Sequence, residues 1–358
     1  MGGAGALVPL ADDVGALAQR IDAAPDVAAL ARLAPEIRRL AVELIAQDAG
    51  AGWLTRVLSG LNERLTMRIM DRIVPRHRLP AAGWCWLTMG SEGRGEQTFV
   101  TDQDNGLVFS ATDHAEARVL RPLFLDMADE VNQALAACGF PLCEGGIMAG
   151  NAQWCLSVEE WCQHFGHWIL TPEPKALLNA TIFFDLRPLY GDATLADALR
   201  QQLQRQAPRA AGFLRMMAAN AVSVPAPLGR LRDFVDTDGH KERVDLKKYG
   251  ARLFVDAARV LALAAGVAPV ATVERLRAAL PVLKLNANDI DAAILAFRHV
   301  QRIRLLDQHR RLSRGEPADN LVATDSLNGL DRKFLVDSLK EARSLQFVLQ
   351  KTFRLESL

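Results

Sequence analysis

Two aspartates one residue apart, Asp102 and Asp104, follow a Gly90-Ser91 pair after ten intervening residues and lead into the apolar run Leu107-Val108-Phe109. Side chains alternate along an extended chain, so both carboxylates point to one side at the mouth of a strand. Two like charges that close are unfavourable without a positive charge between them, and a divalent cation with oxygen ligands meets that need. The Gly-Ser turn offers backbone N–H groups and a hydroxyl where the chain can come close to a phosphate. Arg94 adds a planar fork suited to phosphate oxygens, and Glu96 and Gln97 are placed to hold the loop by hydrogen bonds. The chemistry this spacing suggests is metal-dependent nucleotidyl transfer.

Such a site needs strands to carry it. The run Trp84-Cys85-Trp86-Leu87-Thr88-Met89 reads as one strand, stopped by Gly90-Ser91, and Leu107 to Phe109 as a second. Glu116 to Ala137 has Leu120, Leu123, Phe124, Met127, Val131 and Leu135 at helical spacing, with Gly139 at its end. Phe140 to Ala149, interrupted by Gly145-Gly146, reads as a third strand, and a crossover of this length allows parallel pairing in a small mixed sheet. Ahead of these, Asp26 to Gln47 and Trp53 to Val74 are helical stripes, the first with a kink or break expected at Pro35. The Gly- and Ala-rich first residues are expected to fray.

Ser157-Val158-Glu159-Glu160 matches a capping box and starts a helix that buries Trp161, Phe165, Trp168 and Ile169. Lys175 to Tyr190 is apolar enough for helix or strand, with helix preferred, and Leu195 to Met217 is a helix with Pro208 inside it. Val224 to Val244 is rich in Pro and Gly and reads as a linker or ordered loop. Four helices follow, beginning at Asp245, Thr272, Asp289 and after Ser326, and antiparallel packing would make them a bundle. The expected fold class is α+β: a small mixed-sheet core embedded in helices, then a helical bundle domain. The expected partition is 1–80 helical, 81–223 core with following helices, and 224–358 a helical substrate-binding domain.

Half of the 358 residues are hydrophobic and Lys+Arg balance Asp+Glu at 42 each, so a large core is available and no global charge favours nucleic acid or an anionic membrane. Two tyrosines and fourteen phenylalanines are few for a base-stacking surface. No apolar run approaches a membrane span and no leader-like start is seen, so a cytoplasmic protein is expected. The five cysteines are odd in number and form no C-x-x-C pair, which suits reduced, mostly buried thiols.

The string GSEGRGEQ…TDQDN, with Gly90-Ser91 and Asp102-x-Asp104 ahead of an apolar strand, resembles the DNA polymerase β nucleotidyltransferase superfamily. More closely it is similar to the nucleotidyltransferases often fused to CBS and cyclic-nucleotide-binding domains, relatives of the P-II uridylyltransferases and glutamine-synthetase adenylyltransferases. CEGGIMAGNAQWC, IFFDLRPLYGD and the DLKKYG helix start extend the resemblance over most of the chain. No stretch of these residues reads as a CBS or cyclic-nucleotide module. The resemblance implies a few-stranded core flanked by helices, a helical substrate-binding domain, and a place in signal transduction.

On that footing Asp102 and Asp104 hold two Mg²⁺, or Mn²⁺, one on the triphosphate of an incoming NTP and one lowering the pKa of an attacking hydroxyl. Gly90 and Ser91 cradle the β- and γ-phosphates, and Arg94 neutralises phosphate charge. The superfamily usually needs a third carboxylate. Glu144, on the expected third strand, and Asp185, beside Arg187, are the two candidates, and spacing alone does not choose between them; Asp185 and Arg187 could equally form a buried ion pair.

Other constellations carry less. Cys155, Cys162, His164 and His167 look like metal ligands, yet on a helix positions 162 and 164 lie about 200° apart. Lys247 and Lys248 follow Asp245 at a helix start and suit either a bound phosphate or a capped, solvated face. The arginines from Arg298 to Arg311 read as a solvated or salt-bridged helix face. The acceptor is expected to be a protein side chain or a small molecule rather than nucleic acid. The alternative reading is a non-catalytic nucleotide-binding module that acts through a protein partner.

Overall fold

The computed structural model describes residues 7–47, 49–229, 233–235, 238–239 and 242–355; the expected frayed start lies outside these residues, as does part of the 224–244 linker. In chain order the elements are α1 (Leu7–Asp22), α2 (Val27–Ala46), α3 (Ala51–Ile73), β1 (Trp84–Thr88), α4 (Gly90–Gly93), β2 (Asn105–Phe109) and α5 (His114–Ala137). Then come β3 (Cys155–Ser157), α6 (Val158–Leu170), α7 (Pro174–Phe183), β4 (Arg187–Gly191), α8 (Ala193–Gln206), α9 (Ala211–Val222) and β5 (Arg243–Asp245). The last are α10 (Arg252–Ala265), α11 (Thr272–Leu283), α12 (Ala287–Ser313), β6 (Leu321–Ala323) and α13 (Gly329–Thr352). The class is α+β, as the sequence reading expected. Among the described residues no helix is long and apolar enough to cross a membrane.

The chain divides into two compact units, one formed by Met1–Gln163 with Asp185–Leu199, the other by His164–Phe184 with Arg200–Leu358. The first unit holds the four-stranded sheet, in the order β3-β2-β1-β4. β1 and β2 are antiparallel, from Trp84 opposite Phe109 to Thr88 opposite Asn105. β3 runs parallel to β2, with α5 as the crossover. α2 starts on Asp26, whose Oδ1 accepts from Ala29 N–H at 2.7 Å, and buries Leu30, Leu33, Ile37, Leu40 and Leu44. It runs through Pro35 without a break: Pro35 lies on the exposed side, where water can take the carbonyl bond its ring forfeits.

Two strand expectations need correction. Phe140 to Ala149 forms turns, not a strand, because Gly146 takes φ +65° and the chain folds on itself, Gly146 N–H donating to the Cys143 carbonyl at 2.9 Å. The third strand is instead Cys155–Ser157, three buried residues with no polar alternation to announce them. The segment preferred as one helix from Lys175 to Tyr190 is helix to Phe183 and then strand from Arg187. β4 sits at the sheet edge, where Pro188 is tolerated for want of a donor. A Cβ at Gly191 (φ +95°) would lie 2.3 Å from the Trp84 carbonyl oxygen, so only glycine lets β4 close on β1 there.

Among its described residues the second unit is helical apart from the small antiparallel pair β5–β6; β5 overlaps the end of the expected 224–244 linker, and β6 falls between two expected helices. α12 packs along α13, α10 against α11 and α13, and α11 against α12. Phe165, Trp168, Phe183, Phe184 and Phe213 form a buried aromatic cluster at the N-terminal part of this unit. The expected helix from Leu195 to Met217 is interrupted near Pro208, where α8 gives way to a short 3₁₀ turn before α9.

Candidate active site

β1 ends at Thr88, and Met89 N–H donates to the Asp104 carbonyl at 2.9 Å, which ties the strand end to the acidic segment. Gly90 then takes φ +55°, and the one-turn helix α4 begins. A Cβ at Gly90 would stand 2.4 Å from the Asp104 Oδ2, so the carboxylate occupies the space a side chain would need. The first amides of α4 have no carbonyl a turn back to bond. Ser91 is half-buried on the same turn.

Burial alternates along the acidic segment. Asp102 is exposed and Asp104 half-buried, whereas Gln103 and Asn105 between and after them are buried. Gln103 Nε2 donates to the carbonyls of Asn132 and Phe140 at 3.0 and 2.9 Å. Asn132, on α5, donates from Nδ2 to Gln103 Oε1 at 2.7 Å and to Asn105 Oδ1 at 3.0 Å. Asn105 Oδ1 also accepts from Ala149 N–H at 2.8 Å, and Asn132 Oδ1 from Gly150 N–H at 2.9 Å. A satisfied buried amide network of this kind holds a backbone segment in one register. The sequence reading missed it because nothing in the spacing links position 132 to 103 and 105.

α3 lines the other side. Ser59 Oγ accepts from Gln97 N–H at 3.2 Å, and Asn62 Nδ2 donates to Gln97 Oε1 at 3.0 Å. Gln97 Nε2 reaches Thr101 Oγ1 at 3.3 Å. The polar positions Ser59, Asn62, Glu63 and Thr66 recur at helical spacing beside an apolar stripe, a signal present in the sequence and not used. A small pocket is lined by Asn62, Thr66, Glu92, Gln97, Asp102, Gln103 and Asn105, with Trp86, Leu135 and Phe140 as its apolar wall.

Glu92 is a further residue missed by the spacing argument. Its carboxyl is pushed up to about 8, first by burial and next by the neighbouring Glu63, with Asp104 adding and the Arg187 guanidinium opposing. Cys143 Sγ stands 3.9 Å from Asp104 Oδ1, and burial, with Asp104 and Asp102 nearby, raises the thiol.

The remaining candidates fall in different places. Glu144 lies exposed in the turn after Cys143, not on a strand. Asp185 is fully buried and accepts from Arg94 Nη1, while Arg94 Nε donates to Glu96 Oε2 at 2.8 Å. Arg187 pairs with Glu63 rather than with Asp185. Lys247 and Lys248 belong to the second unit; Asp245 Oδ1 accepts from both their N–H groups at 2.8 and 2.9 Å, and the Lys248 ammonium rests on Asp238. Among the described residues no three carboxylate, thiol or imidazole side chains converge as a metal-holding group. The donor set Asp102 and Asp104, two hard oxygen ligands on one side of the strand mouth with the Gly90 cradle beside them, suits a hard divalent cation completed by phosphate oxygens.

Comparison with known families gives two matches. Residues 35–175 match the family described as "Putative nucleotidyltransferase DUF294". Residues 211–353 match the family described as "Putative nucleotidyltransferase substrate binding domain". The first covers β1 to β3, the turn and the acidic segment but not β4; the second covers α9 to the end of α13. No curated protein matches the chain.

Proposed function

We propose, for a chain that belongs to the DUF294 nucleotidyltransferase family and carries its substrate-binding domain, transfer of a nucleoside monophosphate from an NTP to an acceptor hydroxyl with release of pyrophosphate. The observation that carries this reading is the meeting of Gly90 and Asp104, which sets the start of a tight turn beside a carboxylate of the acidic segment. Asp102 and Asp104 would hold Mg²⁺ or Mn²⁺, which when bound neutralises the triphosphate and lowers the pKa of the attacking hydroxyl. The first amides of the turn that begins at Gly90 and the Ser91 hydroxyl orient the phosphates. Gln103, Asn105 and Asn132 keep the carboxylates at that edge. The acceptor is a protein side chain or a small molecule, taken by the helical substrate-binding domain, in a cytoplasmic signalling role.

The test is incubation of the full chain with each of four labelled NTPs, Mg²⁺ and a cell extract. Label on an acceptor together with pyrophosphate release supports the proposal. A second reading, a nucleotide-binding regulatory module, is favoured by the engagement of Asp185 with Arg94, which occupies one of the two candidate third carboxylates. Nucleotide binding without label or pyrophosphate for any of the four NTPs selects that reading.

A further inference from the structure

We propose that the segment from Asp185 to Arg187 is a positioning clamp for the phosphate-binding turn: Asp185 acts through Arg94, and Arg187 acts through the carbonyls of Glu92 and Gly93. The inference rests on the nucleotidyltransfer reading and adds to it the device that shapes its turn.

Contact of backbone on backbone comes first. A Cβ at Gly93 would lie 2.1 Å from the Asp185 carbonyl oxygen and 3.0 Å from that of Thr88, so α4 lies directly on this segment and on the end of β1. Two arginines then tie it down at its carbonyl end. Arg187 Nε donates to the Gly93 carbonyl at 3.2 Å and Nη2 to the Glu92 carbonyl at 3.4 Å. The same guanidinium makes a two-pronged contact with the Glu63 carboxylate on α3. A cation on the carbonyl end of a turn favours the dipole that leaves its amide end positive. Arg94, which directly follows the turn, is held by Asp185 and Glu96 with only 12% of its side chain exposed.

Arg94 is mostly buried and engaged by two carboxylates, so it braces the loop rather than neutralising a triphosphate. Asp185, with none of its surface exposed and an oxygen on Arg94, is placed to hold that arginine. Both residues are therefore positioning residues, and the turn they hold touches the substrate.

The experiment measures binding of ATP, GTP, CTP and UTP to the full chain with Mn²⁺ by calorimetry, and the Mn²⁺ requirement at saturating nucleotide by paramagnetic resonance. Arg187→Lys is expected to weaken the bound nucleotide about tenfold, Glu63→Gln by no more than that, and the two together no more than Arg187→Lys alone, because Glu63 acts on the turn through Arg187. Asp185→Asn is expected to weaken nucleotide binding to a similar extent and to leave the Mn²⁺ requirement unchanged, whereas Asp102→Asn raises it. Melting curves establish that each variant is folded at the assay temperature; if Asp185→Asn is not, Arg94→Lys, which keeps the charge facing Asp185, replaces it. Unchanged affinity in Arg187→Lys, or additive losses in the Arg187 and Glu63 variants, overturns the clamp. A Mn²⁺ requirement raised in Asp185→Asn as much as in Asp102→Asn makes Asp185 a metal ligand and overturns it as well. An unchanged chain that binds none of the four nucleotides overturns the nucleotidyltransfer reading, a result separate from binding that survives the clamp variants.

Discussion

The Asp104 carboxylate fills the space that a side chain at Gly90 would take, its Oδ2 lying 2.4 Å from where a Cβ would stand. Gly90 therefore serves twice: it reaches φ +55° without steric cost, and it admits the carboxylate to the turn. Replacing Gly90 by Ala should cost about 1–2 kcal/mol of backbone strain. It should also push Asp104 off the turn, so that nucleotide binding falls further than the melting temperature alone would suggest. Calorimetric binding measured beside thermal unfolding checks this; equal binding by the variant would show that the close approach has no part in the site.

Asp102→Asn and Asp104→Asn should each abolish transfer and leave the fold intact. Asp102 is exposed and Asp104 half-buried at the strand mouth, and neither change alters the buried Gln103 and Asn105 that fix the register. Circular dichroism should be unchanged while pyrophosphate release is lost. Transfer surviving either substitution would sink the assignment of the acidic pair.

An NTP should raise the melting temperature only when a divalent ion is present, since ligand binding to the folded form stabilises by mass action. The measurement is thermal unfolding with each nucleotide, with and without Mg²⁺, and with EDTA. Stabilisation of the same size in EDTA would point to basic side chains as the main binding groups.

Glu92 gives a pH dependence with a definite sign. Its carboxyl rises from the ordinary 4.5 to about 8 in the folded chain, chiefly through burial. Between those values the folded chain keeps a proton that the unfolded chain has released. The contribution to stability is thus fully present below about pH 4.5 and is lost as pH rises through about 8. Urea unfolding at a series of pH values should show this loss, and Glu92→Gln should flatten it. A profile identical in the variant would mean that Glu92 titrates normally.

Asn132 is remote from every motif, yet its amide joins Gln103, Asn105 and Gly150. Asn132→Ala should cost about 1–3 kcal/mol for each buried group left unpaired. Amide exchange should quicken at residues 102–105 and 149–150, seen by mass spectrometry. Exchange confined to α5 would show that the network does not hold the acidic segment.

Much of the site was legible because its rules are local. Alternation along an extended chain predicts Asp102 and Asp104 on one side, and burial does alternate from Asp102 to Asn105. The capping box was equally plain: Ser157 N–H donates to Glu160 Oε2 at 2.8 Å and Glu160 N–H to Ser157 Oγ at 3.3 Å. β3 and β4 were misjudged for a matching reason. Three wholly buried residues carry no period, and an edge strand containing Pro188 carries a helix-like apolar content with no helix.

By itself, then, the sequence determined the turn, the acidic pair and the helical stripes, since torsional preference and side-chain period act over a few residues. Only the tertiary structure decided who holds what. Arg94, a phosphate ligand by residue type, meets Asp185 across 91 positions, and Arg187 meets Glu63 across 124. A charged side chain takes the partner that burial brings to it, and burial is set by how distant segments pack.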